Sequence, residues 1–313
     1  MRIAILSRYQ GINNRGAESF VYELSTRLKR THNVEILTNH NSDNLSLVFS
    51  GKYDLVIPMN GRTQVLKASL GRLIDGKYKI LIIGQSGIGR DDLWNIIVGK
   101  PDVFVALTKK ATKWAKAFAW GSKVAHIPNG VDTKKFNPDG DKLNFNLAGP
   151  IILSVGALEW YKGHQLVIKA ASALKDVSLV IVGDGSQKKK LEEMGNQMLK
   201  DRFKILKTSY ENMPSIYRSA DVFTLPSWSR EAFGIVYLEA MASNLPVVAP
   251  DYPTRREIIG DAGLYTDVNN IESYAQTLQQ SLQIRWGNKP RKQADKFSWE
   301  MIAKRYNEIL ENL

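Results

Sequence analysis

Two consecutive series of short apolar segments, each segment separated from the next by a helical pattern, constrain this chain more than any other feature. In the first series, strands are expected at 2–7, 34–38, 53–57, 79–83, 102–106 and 124–127. A helix over about Ala17 to Arg30 carries Phe20, Val21, Leu24 and Leu28 at helical spacing. The second series opens with Ile151-Ile152-Leu153-Ser154-Val155-Gly156 and continues with strands near 177–182, 203–205, 221–224 and 246–249. Helices are expected between them, near 163–174, 187–198, 212–218 and 234–242. Short apolar strands alternating with helices specify mostly parallel sheets covered on both faces, so the fold class is α/β, with two Rossmann-like, doubly wound domains. The turn-forming stretch Asn137-Pro138-Asp139-Gly140-Asp141 separates the series. The expected division is therefore 1–145, 146–290 and a terminal segment 291–313. That segment holds a helix from Ser298 to about Leu310, with Ile302, Tyr306, Ile309 and Leu310 as its apolar stripe. A length of 313 residues with 43% hydrophobic content is enough for two cores. A cleft between two such domains would face the carboxyl ends of the strands, where open sheets bind ligands.

Composition removes several chemistries. Without cysteine there is no disulfide, thiolate nucleophile or thiolate metal site, and the four histidines are scattered rather than grouped as metal ligands. The first apolar run, Met1 to Leu6, reaches Arg8 too early for a signal peptide, and no run approaches a membrane span, so a cytoplasmic protein is expected. The net charge of +12 is uneven: residues 1–145 hold 22 basic against 12 acidic side chains, and the remainder 21 against 19. Such a field suits an anionic membrane surface, an acidic acceptor or nucleic acid. Nucleic acid is set aside, because no helix-turn-helix, zinc-finger or RNA-recognition signature gives the charge a reading element. The basic helix expected over Lys109 to Trp120 carries Lys109, Lys113 and Lys116 on one face and Ala111, Trp114, Ala115 and Phe118 largely opposite. It reads first as a helix packed on a sheet and solvated by lysines, and second as a surface for anionic headgroups.

The chemistry-bearing motifs fall at strand ends. Glu231 and Glu239 lie eight residues apart with Gly234 between them. Eight helical residues rise about 12 Å, roughly the reach of a nucleotide diphosphate-sugar from hexose to ribose. A helix beginning near Phe233-Gly234 would offer its unpaired amides to the diphosphate, Glu231 would meet sugar hydroxyls and Glu239 the ribose. In Ser154 to His164, Gly156 permits close backbone approach and Lys162 can neutralise a phosphate. The loop Gly183-Asp184-Gly185-Ser186 is small enough to sit against a base or ribose. The loop ending in Gly16 is a weaker candidate, since it lacks the GxGxxG pattern. Each motif taken alone is also an ordinary turn between a strand and a helix; their convergence on strand ends distinguishes them.

Together the motifs resemble glycosyltransferase family 4, the retaining enzymes of the GT-B fold class that include glycogen and sucrose synthases and bacterial mannosyltransferases. The matching stretches are Gly156 to Lys162-Gly163, Val182-Gly183-Asp184-Gly185, Ala220 to Ser227, Glu231-Ala232-Phe233-Gly234 to Glu239-Ala240-Met241-Ala242, and Pro246 to Ala249. The first half matches through Gly16-Ala17-Glu18 and Ile127 to Asp132. The resemblance implies transfer of a hexosyl group from a UDP- or GDP-linked donor to a glycan or lipid-linked acceptor, with retention and without a metal or other cofactor. It implies that Glu231 bonds the donor sugar, that Lys162 neutralises the leaving phosphate and that the amides of Phe233, Gly234 and Ile235 meet the diphosphate. Glu239 would bind ribose, Gly16 and Gly156 would allow close approach of the donor, and the base would lie near Gly183, Asp184 and the turn Lys207-Thr208-Ser209. It also implies a last helix that packs on the first domain, which serves the acceptor, and leaves the oligomeric state open.

Three positions depart from the family pattern. Ala157 stands where an arginine often follows the glycine, so one cation for the leaving diphosphate is missing, and Arg230 is the expected substitute. Gln85 stands where a histidine is common, and Asn244 replaces a glycine that precedes Leu-Pro. A binding protein without catalysis and a sugar epimerase of the same architecture are the alternative readings.

Overall fold

The computed structural model describes residues 1–10, 16–44, 52–59, 61–75, 77–229 and 231–313. The chain divides into two compact units, Met1–Gly130 with Trp299–Leu313, and Val131–Ser298.

The first unit contains β1 (Arg2–Leu6), α1 (Gly16–Leu28), β2 (Asn33–Leu37), β3 (Leu55–Pro58), α2 (Arg62–Asp75), β4 (Lys79–Ile83), α3 (Arg90–Gly99), β5 (Val103–Ala106), α4 (Lys109–Lys116) and β6 (Lys123–His126). Its strands form one sheet in the order β2-β1-β3-β4-β5-β6, and the adjacent strands pair in parallel, with Ile3 opposite Val34 on one side and Leu55 on the other. Residues of β1, β3, β4 and β5 are almost entirely buried, which is why their sequence reads as continuous apolar runs rather than as alternation. Thr108 caps α4 by accepting from the Ala111 amide at 3.1 Å.

The second unit contains β7 (Ile151–Val155), α5 (His164–Ser172), β8 (Ser178–Val182), α6 (Lys188–Leu199), β9 (Phe203–Leu206), α7 (Met213–Arg218), β10 (Val222–Thr224), α8 (Ile235–Ala242), β11 (Val247–Pro250), α9 (Pro253–Ile259), β12 (Gly263–Thr266), α10 (Ile271–Gln283) and α11 (Lys289–Asp295). Its parallel strands lie in the order β12-β11-β10-β7-β8-β9, with β7 paired to β8 on one side and to β10 on the other. The chain thus winds outward from β7 in one direction and returns to start again at β10. The carboxyl ends of β7 and β10 flank the switch point, where a doubly wound sheet leaves a ligand crevice. Val167, Ile168, Leu179, Ile181 and Val222 are among the fully buried residues of the core on this sheet.

The unit boundary lies at 130/131 rather than at 145/146, because the turn-rich stretch packs on the second unit. The Val131 amide donates to the Phe297 carbonyl, Arg291 donates to the carbonyls of Thr133 and Phe136, and Ser219 Oγ accepts from the Leu143 amide. Phe136 sits edge-on to Tyr210 and Tyr217. The terminal segment is also divided: α11 belongs to the second unit, and α12 (Trp299–Leu310) to the first. Helix α12 lies against α1, with Phe20 edge-on to Trp299 at 5.3 Å and to Tyr306 at 6.4 Å. Arg27 donates through Nε to Glu300 at 3.0 Å, and a Cβ on Gly130 would stand 2.6 Å from the Trp299 ring.

Among the described residues no helix is long and apolar enough to cross a membrane.

Candidate functional site

Three strand-end loops of the second unit are stitched into one surface. The loop after β7 is tied to the loop after β8 by Leu158 N–H to Asp184 O at 2.9 Å and Gln187 N–H to Leu158 O at 2.8 Å. Ser186 adds two bonds to the Glu159 carboxylate, 3.0 Å from its amide and 2.7 Å from its hydroxyl. The loop after β10 joins the first through Trp228 N–H to Tyr161 O at 2.9 Å, and Trp160 and Tyr161 both pack on the Trp228 ring. Two glycines permit this closeness. A Cβ on Gly183 would stand 1.9 Å from the Gly156 carbonyl oxygen, and one on Gly163, whose φ is +75°, would stand 2.6 Å from the Pro226 carbonyl oxygen.

This scaffold brings Lys162 and Glu231, 69 residues apart, into direct contact. Lys162 Nζ donates to both carboxylate oxygens at 2.8 Å, and the side chains are only 16% and 15% exposed. Burial pushes the Glu231 carboxyl up, but Lys162, Arg255 and the Ser227 hydroxyl outweigh it and hold the group below its ordinary value. The residue is therefore a carboxylate at neutral pH, already matched to its cation. Beside it Gly234, at φ +90°, caps α8, and Ile235 is the first helical residue. The Tyr237 amide bonds back to the Gly234 carbonyl at 3.1 Å, and the Ile235 and Val236 amides before it have no acceptor within the helix. Phe233 is buried at 3% exposure.

Glu239 lies about one turn into the same helix, closer to its start than the sequence spacing implied, where Tyr217 donates to its Oε2 at 2.7 Å and 7% of the residue is exposed. Burial pushes its carboxyl up to about 7, against the opposing pull of the Tyr217 hydroxyl and Lys135. Asp184 is by contrast exposed, paired to Lys207 Nζ at 2.6 Å and lowered first by that hydrogen bond. Thr208 follows in the loop after β9, half-buried between the exposed Lys207 and Ser209. Gly156 ends β7 with its amide bonded to Val182 O at 3.0 Å. His164 lies beneath the loop, wholly buried, with Nδ1 3.1 Å from Ser154 Oγ; burial first, and then the Lys162 charge, push it down to about 4, so it is neutral.

Gly16 opens α1 in the first unit, and Arg230 lies outside the described residues. Asn244 takes φ +61°, the left-handed conformation that its glycine-like position requires. In the first unit a cavity of about 370 Å³ lies at the ends of β3 and β4, and its lining includes Arg62, Gln85, Ser86, Asp91, Asp92 and Asn95. Arg62 is paired with Asp91 at 2.8 Å. Gln85 Nε2 and Asn95 Oδ1 are sealed from solvent without a protein partner. Burial pushes Asp92 up to about 7, although Asn95 and the amides of Ser86 and Gly87 pull it down.

Sequence reading missed Arg255, Ser227, Tyr217 and Tyr237. Arg255 stands in Thr254-Arg255-Arg256-Glu257, which reads as a solvated charge run; one arginine is on the surface, and the other has 0% exposure. Only packing separates them. Among the described residues no three His, Asp or Glu side chains gather as a metal-holding group.

The fold is that of Anabaena HepE, whose structure with UDP and glucose superposes with a TM-score of 0.81 over 100% of both chains at 18% identity. A GDP-mannose-dependent monoacylated alpha-(1-6)-phosphatidylinositol monomannoside mannosyltransferase of Corynebacterium glutamicum is 28% identical over 225 residues, 64% of this chain and 59% of that protein. A phosphatidyl-myo-inositol mannosyltransferase of Mycolicibacterium smegmatis is 30% identical over 222 residues, 67% of this chain and 57% of that protein. The match therefore spans less than two thirds of either relative's length. The model of the family described as glycosyl transferases group 1 matches residues 136–312, which takes in every strand-end loop described above for the second unit. The chain belongs to the glycosyl transferases group 1 family, within the GT-B fold class.

Proposed function

We propose that this protein is a retaining hexosyltransferase that takes its sugar from a nucleoside diphosphate donor. The observation that carries the reading is the Lys162–Glu231 pair, held at the switch point beside the amide terminus of α8. A buried cation and a buried carboxylate already joined have no net attraction for a simple ion. A ligand bearing both an anion and hydroxyls can replace both halves of the pair at once, its diphosphate taking Lys162 and the helix amides while its hydroxyls donate to Glu231. Gly16 and Gly156 admit the donor, Glu239 accepts from ribose, and Gly183, Asp184 and Thr208 border the base. The bond from the anomeric carbon to the diphosphate oxygen breaks, the acceptor oxygen bonds that carbon on the same face, and the acceptor proton passes to the departing phosphate. Lys162 and the amides stabilise the charge that develops there.

Relatives named for GDP-mannose and a neighbour holding UDP with glucose support a nucleoside diphosphate-hexose as donor. The polar cavity at β3 and β4 supports the first unit as the acceptor side, for a hydroxyl-bearing glycan or lipid-linked group. Its net basic charge and α4 support a peripheral place on the cytoplasmic face of an anionic membrane.

Thermal shift across UDP-, GDP- and ADP-hexoses, followed by transfer assays with the stabilising donor, tests the reading. One donor should raise the melting temperature and be turned over. Tight donor binding without turnover on any acceptor would instead favour the binding-only alternative. Pelleting with anionic liposomes at low salt tests the membrane proposal, and a protein left in the supernatant refutes it.

A further inference from the structure

Among the described residues Arg255 heads the fully buried side chains by size, at 0% exposure, and its charge is felt at Glu231, which it helps to hold ionised. Its described partners are neutral oxygens rather than a carboxylate. Nη1 donates to the Phe233 carbonyl at 2.6 Å and Nη2 to Ser227 Oγ at 3.3 Å. The guanidinium lies 5.1 Å from the centre of the Tyr237 ring, and Nε is buried without a partner. Tyr237 is itself fixed, by its hydroxyl donating to the Leu225 carbonyl. A buried guanidinium that feels a carboxylate only at a distance and leaves Nε unpartnered is costly and needs a reason to be there.

The reason lies in the peptide it holds. In a trans peptide the C=O and the following N–H point in opposite directions, and the chain has no described cis bond. Drawing the Phe233 carbonyl toward Arg255 therefore turns the Gly234 N–H away from the guanidinium. Gly234 adopts φ +90°, and a Cβ there would stand 2.8 Å from the Tyr237 ring and 3.5 Å from Arg255 Nη1. The glycine, the tyrosine and the arginine thus lock one orientation of one peptide immediately before α8.

We infer that Arg255 is a positioning residue for diphosphate recognition: it aims the Gly234 amide, in line with the first amides of α8, at the donor's diphosphate and holds a fixed positive charge behind them. This rests on the donor reading above. It also supplies a different answer to the cation lost at Ala157, because the charge comes from beneath the loop rather than from its surface. A charge sealed from solvent is screened little by salt, so this contribution persists where that of a surface lysine fades.

The test compares Kd values for a nucleoside diphosphate and its monophosphate, UDP with UMP and GDP with GMP, in wild type, Arg255→Met, Arg255→Lys and Ser227→Ala. For the base that binds, Arg255→Met should weaken the diphosphate about tenfold or more, the size of a lost charge-assisted hydrogen bond. The monophosphate should change by less than about twofold, an ordinary surface-level perturbation. Arg255→Lys, which keeps the charge and one donor, should recover part of the loss. Ser227→Ala, which removes one anchor of the guanidinium together with the hydroxyl that Glu231 feels, should show a smaller loss with the same diphosphate selectivity, and it carries the test if Arg255→Met does not fold. Equal losses for both nucleotides, or an unchanged diphosphate Kd, would overturn the inference while leaving the donor reading intact. A wild type that binds no nucleoside diphosphate would remove the donor reading itself, and this inference with it.

Discussion

The two units solve the same problem, ending a buried parallel strand at a glycine, in different ways. In the second unit Gly183 ends β8 against the Gly156 backbone, where a Cβ would stand 1.9 Å from a carbonyl oxygen. In the first, Gly84 ends β4 against side chains, where a Cβ would stand 2.8 Å from Asp92 Oδ2 and from the Phe104 ring. Backbone packed on backbone has no freedom to yield, whereas side chains beside a cavity can shift, the Asp92 carboxylate more readily than the buried Phe104 ring. The second unit is accordingly a preorganised surface with its charges paired, and the first keeps a polar cavity whose amide atoms are not all satisfied.

The comparison can be broken most directly at those glycines. Gly183→Ala should cost about 4 kcal/mol, in the range reserved for unavoidable core collisions, and Gly84→Ala only about 1–2 kcal/mol. Equal urea midpoints for the two variants would refute the distinction. The next effect is at the ion pair. Lys162→Met should lower kcat about 10²–10³-fold, as loss of a preorganised electrostatic contact does. It should also destabilise the fold by about 3 kcal/mol near neutral pH, because it leaves Glu231 buried and unpaired. The Glu231 carboxyl is held below its ordinary value of 4.5, so the pair's stabilisation is present above that value and lost as pH falls through the folded-state pKa. The stability difference between variant and wild type should accordingly close in acid; a difference independent of pH would exclude the pair as its source.

Glu239 and Asp92 have the opposite sign. Each is raised to about 7 from ordinary values of 4.5 and 3.8, so the folded state prefers the proton. The contribution of these two groups should be greatest below about pH 4, fall as pH rises to about 7 and level off above it, by up to about 3 kcal/mol for Glu239 and about 4 kcal/mol for Asp92. Glu239→Gln and Asp92→Asn should each flatten their share of that slope in chemical denaturation, one reporting on each unit. The smallest effect belongs to Asp184→Asn at the exposed pair with Lys207, which should leave the melting temperature unchanged and alter only the affinity for the nucleotide base.

Much of the fold was legible because each strand and helix is a local pattern. Among the described residues, eleven of the twelve strands stand where their apolar runs place them. The exception, β12, is Gly263-Leu264-Tyr265-Thr266 at the sheet edge, half-buried, with too little apolar content to announce itself. The site was legible where chemistry and local geometry coincide, as at Gly234, whose left-handed turn starts α8. It was not legible where burial alone assigns meaning. Arg255 and Arg256 are neighbours of one type; the second pairs with Asp251 in solvent and the first carries no exposed surface.

By itself the sequence determined that two α/β units follow one another and that the carboxylate, glycine and helix start of the family motif lie together. These depend on residues within a few positions of each other, whose spacing sets local conformation. Tertiary structure alone decided that Lys162 closes on Glu231, that the 131–145 stretch joins the second unit and that a buried arginine stands behind the Gly234 peptide. Those outcomes follow from strand order: β7 and β10 become neighbours only when the sheet forms, and loops far apart in the chain then share one crevice.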